Sequence, residues 1–184
     1  KGTGEPRVTL TGEYGYFDTF KQRASFSGTK GPISLSMMLS HWDTNGISQA
    51  DEYDGNTEDD GYENTTFSSS LGYDPTENLG FDLMLRYSEA NLEIDDGGGV
   101  GADDPNRINE TDELFARAEG TLTLLDGTWE QILGFSRSDL ERTDDDPPDA
   151  TDPMDPGRSM FEGETYKVDW QHNIYWHEEN TLTV

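Results

Sequence analysis

Apolar and polar residues alternate with a period of two along most of the chain, the pattern of strands with two different faces. Val8, Leu10, Tyr14 and Tyr16 fall on one side, and Thr9, Thr11 and Glu13 on the other. Phe20, Ala24 and Phe26 then alternate with Lys21, Arg23 and Ser25, and Ile33, Leu35, Met37 and Leu39 with Ser34, Ser36 and Ser40. A fourth run sets Phe67, Leu71 and Tyr73 against Thr66, Ser68 and Ser70. The fifth, the cleanest, sets Leu79, Phe81, Leu83, Leu85 and Tyr87 against Asp82, Arg86 and Ser88. In the sixth, Leu114, Ala116, Ala118, Leu122 and Leu124 oppose Arg117, Glu119, Thr121 and Thr123. The seventh aligns Trp129, Leu133 and Phe135, with Ile132 breaking the polar side. The eighth aligns Tyr166, Val168, Trp170, Ile174 and Trp176 against Lys167, Asp169, Gln171 and Asn173. Strands are therefore expected near residues 8–16, 20–28, 33–43, 64–74, 79–92, 113–125, 129–141 and 164–176, with a ninth opening at 181–184.

The connections sort into two kinds. Residues 28–32, 74–78, 125–128 and 177–180 are short and rich in Gly, Pro, Asp and Asn, the composition of tight hairpin turns. The intervening connections are a brief one near Asp18 and Thr19 and three long ones, 44–63, 93–112 and 142–163. Short turns on one side and long loops on the other are the topology of a transmembrane antiparallel β-barrel of the outer-membrane kind. A soluble sandwich has no reason to sort its loops in this way. The polar second face fits a water-filled or plugged lumen better than a packed core. Aromatics also gather at strand ends: Tyr73, Trp129 and Trp176 by the short turns, and Tyr16, Phe17, Trp42 and Tyr87 towards the long loops. Trp and Tyr favour the headgroup level of a membrane.

Charge sharpens this picture. The 184 residues carry 12 Lys+Arg and 39 Asp+Glu, a net charge of −27, with a mean hydropathy of −0.85. Those values on their own describe a disordered or halophilic acidic chain. Residues 43–63, 93–113 and 139–164, however, hold 26 of the 39 acids and only three bases, Arg107, Arg142 and Arg158. The rest of the chain is nearly balanced, so the acidity belongs to the loops.

Several function classes fall away. A strongly anionic chain repels nucleic-acid phosphates, so nucleic acid is not an expected partner. With no cysteine there is neither a disulfide framework nor a thiolate site. No GxSxG, HExxH or phosphate-cradling glycine loop is present. Carboxylate pairs abound only in loops, where no catalytic geometry is implied, so the chain is not expected to be an enzyme. No apolar run reaches the length of a transmembrane helix.

Residues 8–17 (VTLTGEYGYF), 40–44 (SHWDT), 55–73 (GNTEDDGYENTTFSSSLGY) and 125–135 (LDGTWEQILGF) resemble the early barrel strands of TonB-dependent outer-membrane receptors. The likeness is closest to the vitamin B12 and siderophore receptor branch, and the DGY-x-N element at residues 60–64 is its most specific piece. The resemblance implies a barrel of about 22 strands with a plugged lumen, located in the outer membrane of a Gram-negative bacterium. Its partners would be a small nutrient chelate, the TonB system acting through a plug domain, and membrane lipid with lipopolysaccharide. The chain departs from the pattern in having eight strands plus the start of a ninth, no plug domain and no terminal aromatic. The expectation is thus the N-terminal part of such a barrel, residues 1–184 forming a wall segment. A free eight-stranded barrel fits less well, because a small barrel must fill its interior with side chains.

Two groups of residues are candidate sites. Asp43, Asp51, Asp54, Asp59 and Asp60 crowd one loop, and oxygen ligands at this density suit Ca²⁺. The resemblance implies a calcium role for loop aspartates, with Asp59 and Asp60 matching best; the bland alternative is a solvated acidic loop facing lipopolysaccharide. Asp95, Asp96, Asp103 and Asp104, and then Asp144, Asp145, Asp146, Asp149, Asp152 and Asp155, read as solvated loops. His41, His172 and His177 are too scattered for a ligand set. The second group, Arg23, Arg86, Arg117 and Lys167, faces the lumen. These bases either hold plug carboxylates and guide an anionic substrate, or pair with Asp82, Glu119 and Asp169 across strands. From another class stands a secreted or surface-exposed acidic β-rich module that depends on calcium.

Overall fold

The computed structural model describes every residue except 1, 3, 96–98, 149–156 and 178–179, and all side chains of the rest but that of His177. Nine strands follow in chain order: β1 (Arg7–Tyr14), β2 (Phe20–Lys30), β3 (Ile33–Ile47), β4 (Asp60–Thr76), β5 (Leu79–Glu93), β6 (Ile108–Leu124), β7 (Trp129–Asp146), β8 (Gly157–His177) and β9 (Asn180–Thr183). A single 3-10 turn (Glu52–Asp54) is the one helical element among the described residues. Each strand pairs antiparallel with the next, giving one sheet in the order β1 to β9. The sheet is open, with β1 and β9 at its edges.

The strands reach further into the acidic windows than the loop composition implies. β4 starts at Asp60 rather than residue 64 and β6 at Ile108 rather than 113. β7 runs on to Asp146, where it pairs with Gly157 at the start of β8. The three long connections therefore shrink to residues 48–59, 94–107 and 147–156. Asp and Glu are poor strand formers alone, but a ladder already in register extends when each further residue finds both backbone partners. At the other end, residues 15–16, expected within the first strand, belong to the turn after β1, where Phe17 and Asp18 adopt left-handed backbone angles.

The register carries the period-two pattern across the sheet, with shifts between Thr44 and Ile47, between Tyr73 and Thr76 and between Tyr175 and His177. Leu35 faces Leu71, which faces Leu83, which faces Ala118, which faces Phe135, which faces Val168. One face is thus mainly apolar, and it is exposed: Leu10 is 76 % accessible, Leu83 51 % and Val168 70 %. On the other face Ser88, Ser136 and Asn173 are buried. The only buried apolar side chains among the described residues are Ala50 and Ala102, both in loops. The chain exposes 12456 Å², against about 8,900 Å² for a compact monomer of this mass. There is no second layer to bury the apolar face.

That apolar face is a band with an upper edge. On β5 it spans residues 79–87 and on β6 residues 114–124, after which the same face turns to Glu89 and Asp112. Nine to eleven residues is the length of a tilted strand that crosses a bilayer. Below the band lie the tight turns, where Leu125 and Asp126 take left-handed angles.

Gly46 breaks the pairing of β3 with β4 between Thr44 and Ile47. Its φ is +72°, and a Cβ there would fall on the Asp60 carbonyl oxygen. Gly46→Ala is expected to destabilise this corner by about 1–3 kcal/mol, the cost of a strained non-glycine backbone. Faster amide exchange at Ile47 and Gly61, with the rest of β3 unchanged, is the expected result; unchanged exchange at both would contradict it.

Candidate functional site

Two regions collect the polar chemistry: the polar face of the sheet and a package of two loops above β3–β6. On the polar face, Arg117 of β6 reaches across β7 to Asp169 of β8. Its Nη1 donates to Asp169 Oδ1 at 2.9 Å and its Nη2 to Oδ2 at 2.8 Å, a two-pronged pair. The same Nη2 donates to Glu119 Oε2 at 2.8 Å. Passage over β7 is open because residue 134, which lies between Glu119 and Asp169 in the register, is glycine. A Cβ at Gly134 would fall on Arg117 Nη2 and sit 2.7 Å from Asp169 Oδ2. Lys167 Nζ completes the group, 3.5 Å from Asp169 Oδ1.

Of the four bases expected on this face, Arg117 and Lys167 are therefore neutralised together by Asp169 and Glu119. Arg23 and Arg86 are on the same face, opposite Ser40 and Ser68, and make no ion pair among the described residues. Lys21 lies beside them, its Nζ 4.0 Å from the centre of the Trp42 ring, a cation–π contact. Lys21, Arg23, Trp42, Asn64 and Glu13 line a cavity of about 360 Å³. Sequence reasoning passed over Lys21, although its alternation with Arg23 already placed the two on one face. The polar face thus has two halves. The β6–β8 half is internally ion-paired, and the β1–β5 half is a field of serine and threonine hydroxyls with unpaired bases.

The loop package is built from residues 48–59 and 94–107. Asn56, 1 % exposed, ties them: its Nδ2 donates to the carbonyls of Asp51 and Gly99, and its Oδ1 accepts from Ala102 N at 2.9 Å. Carboxylates accept further backbone N–H groups. Asp103 Oδ2 takes Thr57 N at 2.8 Å, Asp95 Oδ2 takes Ala50 N at 2.9 Å, and Glu93 Oε2 takes Gly61 N at 2.7 Å. Acidic side chains here act as acceptors for a backbone that has no ladder partner. Arg107 Nε donates to Asp144 Oδ1 at 3.2 Å, fastening the second loop to β7.

The five aspartates expected to bind calcium do not come together. Asp43 is on the exposed face of β3 opposite Glu63. Asp51 caps the 3-10 turn, its Oδ1 accepting from Tyr53 N at 3.0 Å. Asp54 and Asp59 are exposed, while Asp60 is buried and accepts from Gln49 N. Among the described residues no three Asp, Glu, His or Cys side chains converge where they could hold a metal ion. As a ligand set for Ca²⁺ these residues do not fit. Capping, a backbone hydrogen bond and strand alternation each pull one of them elsewhere. Asp96, Asp149, Asp152 and Asp155 lie outside the described residues. The histidines remain apart: His41 Nδ1 is 3.0 Å from Thr65 Oγ1, and His172 Nδ1 accepts from Trp129 Nε1 at 3.2 Å. The carboxylate that stands out is instead Glu58, whose Oε2 is buried without a hydrogen-bond partner. Burial, with Asp95, Asp60, Asp103 and Glu93 nearby, pushes its pKa up to about 7.

A raised carboxyl pKa means that the folded loops bind a proton the unfolded chain has lost. Glu58 therefore leaves the package most stable below about pH 4.5, and stability is lost as pH rises to about 7. Proteolysis of the loop pair, followed in the presence of a chelator, is expected to accelerate between pH 5 and pH 8. Glu58→Gln should flatten that dependence. A profile identical in the two proteins would contradict the assignment.

No known protein family matches the chain, and no curated protein is similar to it.

Proposed function

We propose that this chain is wall of an outer-membrane β-barrel, in a TonB-dependent receptor that imports a scarce nutrient chelate such as a siderophore or cobalamin. The observation that carries the reading is the inverted burial of a single sheet. Its apolar side chains are exposed in a band nine to eleven residues deep on β5 and β6, and its serine and threonine hydroxyls and the Arg117–Asp169 group occupy the other face. Exposed apolar patches of more than a few hundred Å² mark a membrane or a partner surface. The band matches the outward apolar belt of such barrels, about 25 Å tall. No helix of the described residues is long and apolar enough to cross a membrane, so crossing would be by strands.

Aromatic placement supports the same reading. Trp129 and Trp170 flank His172 near the tight turns, with ring centroids 5.8 and 4.5 Å from it. At the opposite edge of the same face, the Tyr87 hydroxyl donates to Asp112 Oδ1 at 2.6 Å. Amphipathic rings at both edges of an apolar band are the arrangement of an interfacial girdle. In the receptor, the loop package would meet the ligand first, and the polar face would line its path past a plug. The importer and TonB parts of the reading rest on the resemblance in residues 8–17, 40–44, 55–73 and 125–135.

The barrel is tested by partition and by paired substitutions. The protein should be recovered with outer membranes and require detergent for extraction. Leu83→Lys, on the exposed face, should lower folding stability in lipid vesicles by about 2–4 kcal/mol, whereas Thr121→Lys on the polar face should change it far less. A folded monomer in a detergent-free soluble fraction would overturn the barrel and favour the secreted acidic module. Import is tested separately: deleting the gene should stop growth at limiting chelate and spare it at surplus.

A further inference from the structure

The β1–β5 half of the polar face contains a second depression, of about 420 Å³, in which Arg86 is the one charged lining residue. The register explains its composition. Met38, Ser68, Arg86 and Phe115 stand in one row across β3–β6, and Ser70 and Met84 are opposite one another in the next. The depression therefore combines three distinct chemistries. Ser25, Ser68 and Ser70 supply hydroxyls, and Met38, Met84 and Phe115 supply soft apolar surface. The Ser70 Oγ is buried and has no hydrogen-bond partner among the described residues.

Arg86 is the feature without an internal explanation. The chain holds 39 acids, yet the residues directly opposite Arg86 are Ser68 and Phe115. Its charged neighbours are arranged otherwise. Arg117, opposite Met84, is held by Asp169 and Glu119, and Glu113 is in the next row, opposite Ser88. A guanidinium is always charged and presents a planar fork of donors that fits a carboxylate. One unpaired fork beside an apolar wall calls for one anionic group attached to an apolar body. The volume is that of a small-molecule site, which ranges from about 300 to 1,000 Å³. An acidic peptide would bring several carboxylates to a place that offers a single cation.

We propose that this depression binds a small organic carboxylate, with its anionic group on Arg86 and its apolar body against Met38, Met84 and Phe115. The site deepens the receptor reading by naming a ligand chemistry for its lumen and rests on that reading for physiological meaning. Binding itself requires neither a membrane nor TonB.

The probe is 4-fluorobenzoate, with neutral 4-fluorobenzyl alcohol as its partner, each titrated into the full chain in nanodiscs and read by fluorine NMR. The acid is expected to bind at least tenfold more tightly than the alcohol. Arg86→Gln should remove that tenfold preference and leave the alcohol unchanged, Arg86→Lys should restore part of it, and Arg7→Gln, a distant charge on the same face, should have no effect. Should Arg86→Gln fail to fold, Met84→Ser serves instead and should weaken both probes at least threefold. Equal binding of acid and alcohol, an equal loss in Arg7→Gln, or no change in Met84→Ser would overturn the proposal, as would binding of an acidic peptide in place of the acid. Soluble recovery of the protein with this binding intact would remove the barrel alone; membrane recovery without it would remove the site alone.

Discussion

A single-layer sheet with one apolar face has nowhere inside itself to put that face, and everything else in this structure follows from that constraint. Fully exposing one Leu or Phe side chain forgoes about 1.5–3 kcal/mol of burial, and here whole rows are exposed from β1 to β8. A soluble domain resolves the problem with a second sheet or a layer of helices; this chain has neither among its described residues. The face must be covered by something outside the sheet. A bilayer covers it without pairing demands, because the ladder already satisfies the backbone groups of the strands away from the edges.

The same constraint sets the economy of charge. Bases and acids gather on the other face, in the loops and towards the strand ends; Arg137, on the apolar face between Ala116 and Tyr166, is the exception and is paired with Asp139 and Glu164. Arg117 shows what the polar face requires of a charge. It spans a strand to reach Asp169, and glycine at position 134 keeps that crossing clear. The loop package answers a related need. Residues 48–59 and 94–107 leave the ladder and lose its backbone partners, and Asn56, Asp95 and Asp103 replace them. Acidic residues that looked like surplus charge act as acceptors. Gathering them buries Glu58 and crowds it with like charges, and burial first, then those charges, hold its proton so tightly.

How far the sequence was legible follows from the range of the interactions. Strand faces were legible throughout, because alternation is local and the antiparallel register preserves it from β1 to β8. The partnership of Arg117 with Asp169 stood among the cross-strand pairings expected, since both residues alternate onto one face. Strand ends were not legible: Asp144, Asp145 and Asp146 carry loop composition, and only pairing with β6 and β8 makes them strand. The five aspartates expected to hold calcium are not brought together, because neighbours in sequence need not converge in space. Asp51 and Asp60 each turn to a nearby amide instead. Glu58 was invisible for the opposite reason, since Asp95 and Asp103 lie some forty residues away.

The upper edge of the apolar band is fixed by electrostatics as sharply as its lower edge is fixed by turns. Glu89, Asp112, Glu141 and Glu162 are directly opposite one another on four consecutive strands. Like charges so placed are destabilising, by about 0.8 kcal/mol for each pair 5 Å apart in water and by far more in a low-dielectric medium. Such a row survives only where water and counter-ions screen it. It cannot enter hydrocarbon, while Leu114, one step below on the same face, gains nothing from water and Tyr87 beside it turns its hydroxyl up to Asp112. On β7 and β8 that lower step holds Asp139 and Glu164, so the charged edge lies one step lower there. Placed in a bilayer as proposed, the sheet would be held at one depth. Sliding it inward would drive four carboxylates into the apolar layer, and sliding it outward would expose the band to water.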